Sequence, residues 1–260
     1  PRTYRAWAEG LSSWARTLQD EPVDDLSDLA KVDYLARVNR AIDHVTRNLD
    51  QPLRLEDVAA VGAFSPFHFH RVFRAVVGET LHAFVLRLRL ERAAHLMSHD
   101  RRRSLTELAL ACGFASSSDF SRSFRRHFGA SPRQFDLARH RDTHRAELVG
   151  TDGRPVTRLP EGHNPYGFTA PLRAQPARRV AYLRVFEPYK GHVPTTAARL
   201  VAWAEARGLA GGQWLGFQWD DPEIVPLERC RYDVGVEVPD EAVLDGEVHE
   251  VRFPAMTVAE

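Results

Sequence analysis

Between Leu55 and Phe135 the chain writes one pattern twice. Glu56-Asp57-Val58-Ala59, followed by Phe64, Ser65, Phe69, Phe73 and Gly78, returns as Thr106-Glu107-Leu108-Ala109, followed by Phe114, Ser116, Phe120, Phe124 and Gly129. The offset is 50 residues through the first Phe and 51 from the Ser onward, so the second copy holds one extra residue. Each copy reads as a short helix, a tight turn and a second helix with Arg on its outer side. That is a helix-turn-helix, and two in tandem imply a protein built to read neighbouring turns of a DNA major groove.

The formal net charge is zero, which alone argues against a nucleic-acid partner. Its distribution reverses that. Residues 34–145 hold 19 Arg against 11 acidic side chains, a net of +8, with 9 of the 12 His; residues 1–33 carry −3 and residues 146–260 carry −5. A basic middle between acidic flanks is the footprint of a polyanion-binding segment. The bias to Arg suits bidentate contacts to guanine and phosphate. No apolar run approaches the roughly 18 residues of a membrane span and no signal-peptide pattern is present. Cys112 and Cys230 fall in different expected domains, so no disulfide framework is expected. Together these point to a cytoplasmic protein.

Local signals fix most elements. Residues 1–33 read as a helical extension, with Trp7, Leu11, Trp14 and Leu18 on one stripe. A helix is expected from about Asp33 to Leu49. In the first repeat, Leu55 to Val61 is the first helix, Gly62 supplies the turn, and Ser65-Pro66 caps and starts the second, which Gly78 closes. Thr80 opens a long helix to about Ser98, the rod between the repeats, and a charged loop follows at Asp100 to Arg103. Ser104-Leu105-Thr106-Glu107 is a capping box. Ser116 caps the second helix of the second copy, and Ser131-Pro132 starts a last helix running through Phe135 to about Arg145. Residues 146–176 are rich in Gly and Pro and read as a linker. Beyond them, strands at 180–186, 214–219, 230–238 and 248–258, with a helix at 195–207, give an α+β domain of β-α-β-β-β order. The chain is thus expected to be multidomain: a helical extension (1–33), an all-α tandem helix-turn-helix domain (34–145), a linker (146–176) and an α+β domain (177–260).

In a helix-turn-helix the second helix enters the groove N-terminus first, so its early outward positions meet the bases. In the first copy these are Phe67, His70 and Arg71; in the second, Ser117, Ser118, Ser121 and Arg122. Phe69, Phe73, Phe120 and Phe124 face the core. Arg71 and Arg122, one repeat apart, are the expected guanine readers, and Arg74, Arg125 and Arg126 the phosphate contacts. His68 and His70 are two residues apart and do not share a helix face, so no metal site is expected. No Gly-rich phosphate loop, Gly-x-Ser-x-Gly elbow or His-Glu-x-x-His stretch occurs, and neither a cofactor nor catalysis is expected.

These stretches carry a resemblance. Residues from about 37 to 140 resemble the AraC/XylS family of bacterial transcription regulators, through Leu55-Glu56-Asp57-Val58-Ala59, Ser65 to Arg74, Gly113 to Arg125 and Gly129-Ala130-Ser131-Pro132. The family implies about seven helices, two of them in successive major-groove segments, and its base-contact positions fall on the residues already named. Residues 177–260 look like the start of a GyrI-like effector-binding domain, through Ala177 to Tyr182, the Trp203 helix, Gly216-Phe217, Asp220-Asp221-Pro222 and Cys230 to Asp233. That resemblance implies two β-α-β-β modules around a ligand groove. Here one module is followed by only the first strand of the next, and the groove carboxylate the family supplies from its second module has no counterpart.

Within the module, Trp203, Trp214, Phe217, Trp219 and Tyr232 are candidate walls for a small apolar or cationic effector, with Glu187, Glu223 or Glu237 near. The reading is a one-component regulator whose partners are promoter DNA, a small effector and, as a further candidate, RNA polymerase. A GyrI-like hydrolase or sequestering protein joined to a DNA-binding domain, and a ligand-independent DNA-binding protein, are the alternatives.

Overall fold

The computed structural model describes residues 28–99, 102–145 and 171–259. The helical reading of residues 1–27, part of the charged loop and most of the expected linker lie outside the described residues. The chain forms two compact units, Pro1–Phe135 and Asp136–Glu260.

The first unit is helical. Helix α1 (Asp28–Arg47) starts earlier than its periodicity predicts and seals Val38, Ile42 and Val45 in the interior. Helices α2 (Leu55–Val61) and α3 (Pro66–Val77) form the first helix-turn-helix; the Ser65 hydroxyl accepts from the His68 N–H at 3.4 Å, and Gly78 ends α3 at φ +81°. Helix α4 (Leu81–His99) is the rod, opened by the Thr80 hydroxyl accepting from the Ala83 N–H at 3.2 Å. Helices α5 (Leu105–Ala111) and α6 (Ser117–Phe128) repeat the motif. The capping box at Ser104 and Glu107 is formed, and Ser116 accepts from the Asp119 N–H at 3.1 Å.

Two aromatic ladders fill the interior. Phe64, Phe69, Phe73 and Phe84 stand with successive ring centroids 6.0, 5.2 and 5.4 Å apart. Phe114, Phe120, Phe124 and Phe128 follow at 5.2, 5.4 and 4.5 Å, and Phe135 closes the second ladder 4.8 Å from Phe128. Each such ring removes enough apolar surface from water to stabilise the fold by roughly 1.5–3 kcal/mol. In the rod, buried Arg87 bridges Glu79 at 2.6 Å and Glu91 at 3.1 Å. Burial alone would lower its pKa, but Glu91 and Glu79 more than offset this and hold it above the usual guanidinium value.

The first turn holds Gly62, as the sequence expects, but its left-handed residue is the next one. Gly62 has φ −79°, and the left-handed residue is Ala63 at φ +54°. Gly62 is needed for room instead: a Cβ there would stand 2.9 Å from the Phe64 ring and 3.2 Å from the Arg37 carbonyl. The last helix also differs. Residues 132–134 form a turn, and α7 (Leu137–Arg145) begins later because Asp136 is the cap, its carboxylate accepting from the Arg139 N–H at 3.1 Å. Helix α7 belongs to the second unit.

The rest of that unit is α+β. Strands β2 (Arg178–Phe186), β3 (Trp214–Gln218), β4 (Arg231–Val238) and β5 (His249–Phe253) make an antiparallel sheet in the order β3-β4-β2-β5. Helix α8 (Val193–Ala206) covers one face, packing Leu200 and Ala204 against Ala181, Leu183, Val234 and Val236. The strand expected over 248–258 is two strands. Pro254, without an N–H to give the ladder, ends β5, and β6 (Met256–Ala259) pairs instead with β1 (Leu172–Gln175), a strand inside the expected linker. Among the described residues no helix is long and apolar enough to cross a membrane.

Candidate nucleic-acid interface

Helix α3 turns Phe69, Val72, Phe73 and Val76 inward. Phe67, His70 and Arg74 are exposed and Arg71 is half-buried. The Phe67 ring is 76 % exposed and seats the Arg71 guanidinium 5.9 Å from its centroid, within cation–π range. His68 points elsewhere: it packs edge-on against Phe64 and Tyr34, and burial first, then Arg37 and Arg71, push its pKa down. Helix α6 repeats the division. Phe120 and Phe124 are buried; Ser118, Arg122, Arg125 and Arg126 are exposed; Ser117 and Ser121 are half-buried. Arg122 has Asp119 at 3.8 Å in an open, exposed pair that costs little to separate.

Two arginines missed from the sequence brace these helices. From α1, Arg37 donates Nε to the Gly62 carbonyl at 2.7 Å and a second N–H to Ala63, with its guanidinium 3.9 Å over the Phe64 ring. From α4, Arg89 donates to the carbonyls of Leu49 at 2.8 Å and Gln51 at 2.7 Å. Against this second bracket lies Gly113, at φ +78°; a Cβ there would fall 2.3 Å from the Leu49 carbonyl oxygen. The second turn therefore rests directly on the chain leaving α1, so contact as well as the rod sets the spacing of the two motifs. Arg37 and Arg89 stand 52 residues apart, off the 50- and 51-residue offsets of the repeat, so the repeat itself does not mark them. An open cleft of about 840 Å3 lies between the motifs, bordered by His70 of α3 and Asp119 of α6, with Leu81, Val85 and Phe114 in its floor. Helices α3 and α6 each give one side chain to its lining.

The residues expected to wall an effector groove do not come together as one set. Trp203 and Tyr232 pack on the α8 side of the sheet, Trp203 donating its indole N–H to Asp245 at 2.9 Å. Trp214 pairs with Val236 and so shares that side; its indole donates to the Ala210 carbonyl. Phe217 lies on the opposite face with Val180, Tyr182, Val251 and Phe253, stacking on Phe253 at 4.9 Å. On this face Arg184 grips Asp233 through two bonds of 2.9 and 2.8 Å, and the Trp219 indole donates to the same carboxylate at 2.7 Å. Glu187 is paired with Lys190 at 2.5 Å, and Glu223 is engaged by Arg145. Strand register, rather than aromatic count, decides which side chains share a wall.

Comparison with known proteins agrees with this division. A family profile described as a helix-turn-helix domain matches residues 58–138, and one described as a GyrI-like small molecule binding domain matches residues 171–259. Over 104 residues the chain is 32 % identical to the regulatory protein SoxS of Salmonella typhimurium strain LT2, spanning 94 % of that protein and 40 % of this chain. The chain belongs to the AraC family of helix-turn-helix regulators. It is also 34 % identical over 113 residues to a probable transcriptional regulator, LumQ, of Photobacterium leiognathi, covering 43 % of this chain and 44 % of LumQ. Its C-terminal part is 40 % identical over 77 residues to a DNA gyrase inhibitor of Serratia proteamaculans strain 568, covering 30 % of this chain and 49 % of the inhibitor. The chain therefore spans less than half the length of these last two relatives. This AraC-family chain joins its helix-turn-helix unit to a GyrI-like domain.

Proposed function

We propose that the helical unit binds double-stranded promoter DNA with α3 and α6 in successive major-groove segments. The observation that carries this is the doubled arrangement itself: each of the two helices buries its Phe pair, carries Arg on its outer side, and gives one side chain to the lining of the cleft between the motifs. Phe67 suits a thymine methyl, Arg71 and Arg122 suit guanine O6 and N7, and the Ser hydroxyls of α6 accept either base edge. Arg74, Arg125 and Arg126 lie further along and suit phosphates. The rod has 19 residues, which at 1.5 Å each gives about 28 Å, short of the roughly 34 Å turn of B-DNA. A duplex engaged by both helices would bend toward the protein, and flexible steps between the half-sites would favour it. Fluorescence anisotropy with duplexes selected from a random pool tests this. Selected duplexes should bind more tightly than scrambled ones, with affinity falling steeply between about 50 and 200 mM salt. Equal affinity for both would defeat the reading.

The GyrI-like module would bind a small, flat, largely apolar effector on the sheet face away from α8. Phe217, Trp219 and Phe253 offer ring surfaces there, and the Arg184–Asp233 pair gives a fixed polar group beside them. Trp203 and Tyr232 pack on the α8-side core instead, and Trp214 is exposed on that side. Quenching of tryptophan emission by planar aromatic compounds should be reduced by Trp219→Leu and unchanged by Trp214→Leu.

A further inference from the structure

The sequence places the last helix with the DNA-binding domain, but α7 is gripped by the GyrI-like module. Arg145 donates to Glu223, its Nε at 2.8 Å. Arg141 meets Asp221 at 3.2 Å and Glu223 at 3.6 Å. Next to Arg141 in the chain, the His140 ring contacts the Ile224 carbonyl at 3.3 Å. Three positions on one side of α7 therefore hold one short loop, residues 221–224. The loop is itself stiff: Asp221 accepts from the Glu223 N–H at 2.9 Å, and its neighbour Asp220, nearly fully buried, clamps Arg231 through bonds of 2.8 and 2.7 Å.

Both ends of this arrangement lead to functional side chains. On one side the loop follows directly from Trp219, whose indole is bonded to Asp233 on the sheet face. On the other side α7 is joined to Phe135 through its cap Asp136 alone. Phe135 packs 5.2 Å from Phe124 and 4.8 Å from Phe128, both on the inward side of α6. No spacer residue separates the ring seated under the second recognition helix from the cap of the helix seated on the module.

We propose that α7 is the coupling element through which the GyrI-like module acts on the second helix-turn-helix, with Asp221 and Glu223 as its attachment points. Movement of the Trp219–Glu223 segment would pull on Phe135 and so on α6, the helix against which Phe135 packs. What the module senses rests on the function proposed above, but the mechanical link does not, and it can be tested without DNA or effector.

The test is hydrogen–deuterium exchange on the full chain, comparing the parent with Asp221→Asn/Glu223→Gln. Asn keeps the acceptor that holds the loop turn, so only the charges facing α7 are lost. Exchange over residues 137–145 should rise about tenfold, with a smaller rise around Phe124–Phe128 and none in α3. If α7 loosens while α6 stays protected, the link does not reach the recognition helix and the proposal falls. It falls equally if α7 does not respond. If all helices respond together, Arg145→Gln alone, which leaves the 221–224 loop unaltered, decides: it should raise exchange in α7 and α6 with α3 unchanged, and a uniform response again overturns the proposal. A chain that binds no DNA but shows the selective pattern would refute the proposed function and leave the coupling standing.

Discussion

The two helix-turn-helix copies share a backbone plan and differ in how the plan is secured. In the first, a non-glycine residue, Ala63, takes the left-handed turn position, and Arg37 holds the turn by its carbonyls. In the second, Gly113 takes that position and presses against the Leu49 carbonyl. The extra residue, Ala115, falls between the aromatic anchor and the capping Ser. The exposed sides also differ: Phe67, His70 and Arg71 in α3 against Ser118 and Arg122, with Ser117 and Ser121 partly covered, in α6. Repetition has thus preserved inward geometry, set by the Phe ladders, while the outward chemistry and the anchoring of each turn diverged. The first copy is tied to α1, whereas the second rests on the chain leaving α1 and on the Phe135 ring.

The largest asymmetry should appear at the turns. Gly113→Ala places a methyl inside a backbone contact at positive φ and should cost about 3 kcal/mol or more, read as a fall in Tm. Gly62→Ala meets mainly the movable edge of the Phe64 ring and should cost about 1 kcal/mol. Equal losses would show that the second turn is not braced as described. Next in size are the arginines proposed to read bases. Arg71→Ala and Arg122→Ala should each weaken binding to selected duplexes by about 1–3 kcal/mol and relax one base position, in different half-sites. Arg125→Ala should weaken all duplexes alike and lower the salt slope by about one. A smaller effect of opposite sign is expected from Ala63→Gly, which relieves the left-handed strain and should stabilise the fold by about 0.5–1 kcal/mol despite the added chain entropy.

The smallest is a pH effect confined to the first copy. His68 has a lowered pKa in the fold, so the unfolded chain binds its proton more readily. The stability that neutral His68 supports is present above its ordinary value of 6.5 and is lost as pH falls through and below it. Asp119 occupies the equivalent site in the second copy. Urea unfolding at pH 7.5 and 5.5 should lose less stability on acidification in His68→Gln than in the parent chain.

Much of this fold was legible in the chain. Ser-Pro starts, a capping box and Gly stops mark helix ends with side chains that bond locally, so their meaning survives without tertiary context. The inward Phe pairs were equally plain because their spacing fits one helix face. What escaped depends on contacts distant in sequence. Gly62 was legible as a turn residue, but the crowding by Phe64 and the Arg37 carbonyl, with Ala63 left-handed beside it, appears only once α1 is packed. Ser131-Pro132 carried a valid start signal, but Asp136 caps the helix and the loop at Asp221 and Glu223 holds it. The aromatic residues of the module were counted rather than placed, and strand register alone puts Phe217 and Trp219 on one side and Trp214 on the other.

The most direct test of the central claim is selection of binding sites from randomised duplexes by the full chain and by its Arg71→Ala and Arg122→Ala variants. The parent should yield two short motifs about one helical turn apart. Arg71→Ala should blur one motif and Arg122→Ala the other, each leaving its companion intact. A single motif from the parent, or loss of the same motif in both variants, would contradict a chain that reads DNA with two separate helices.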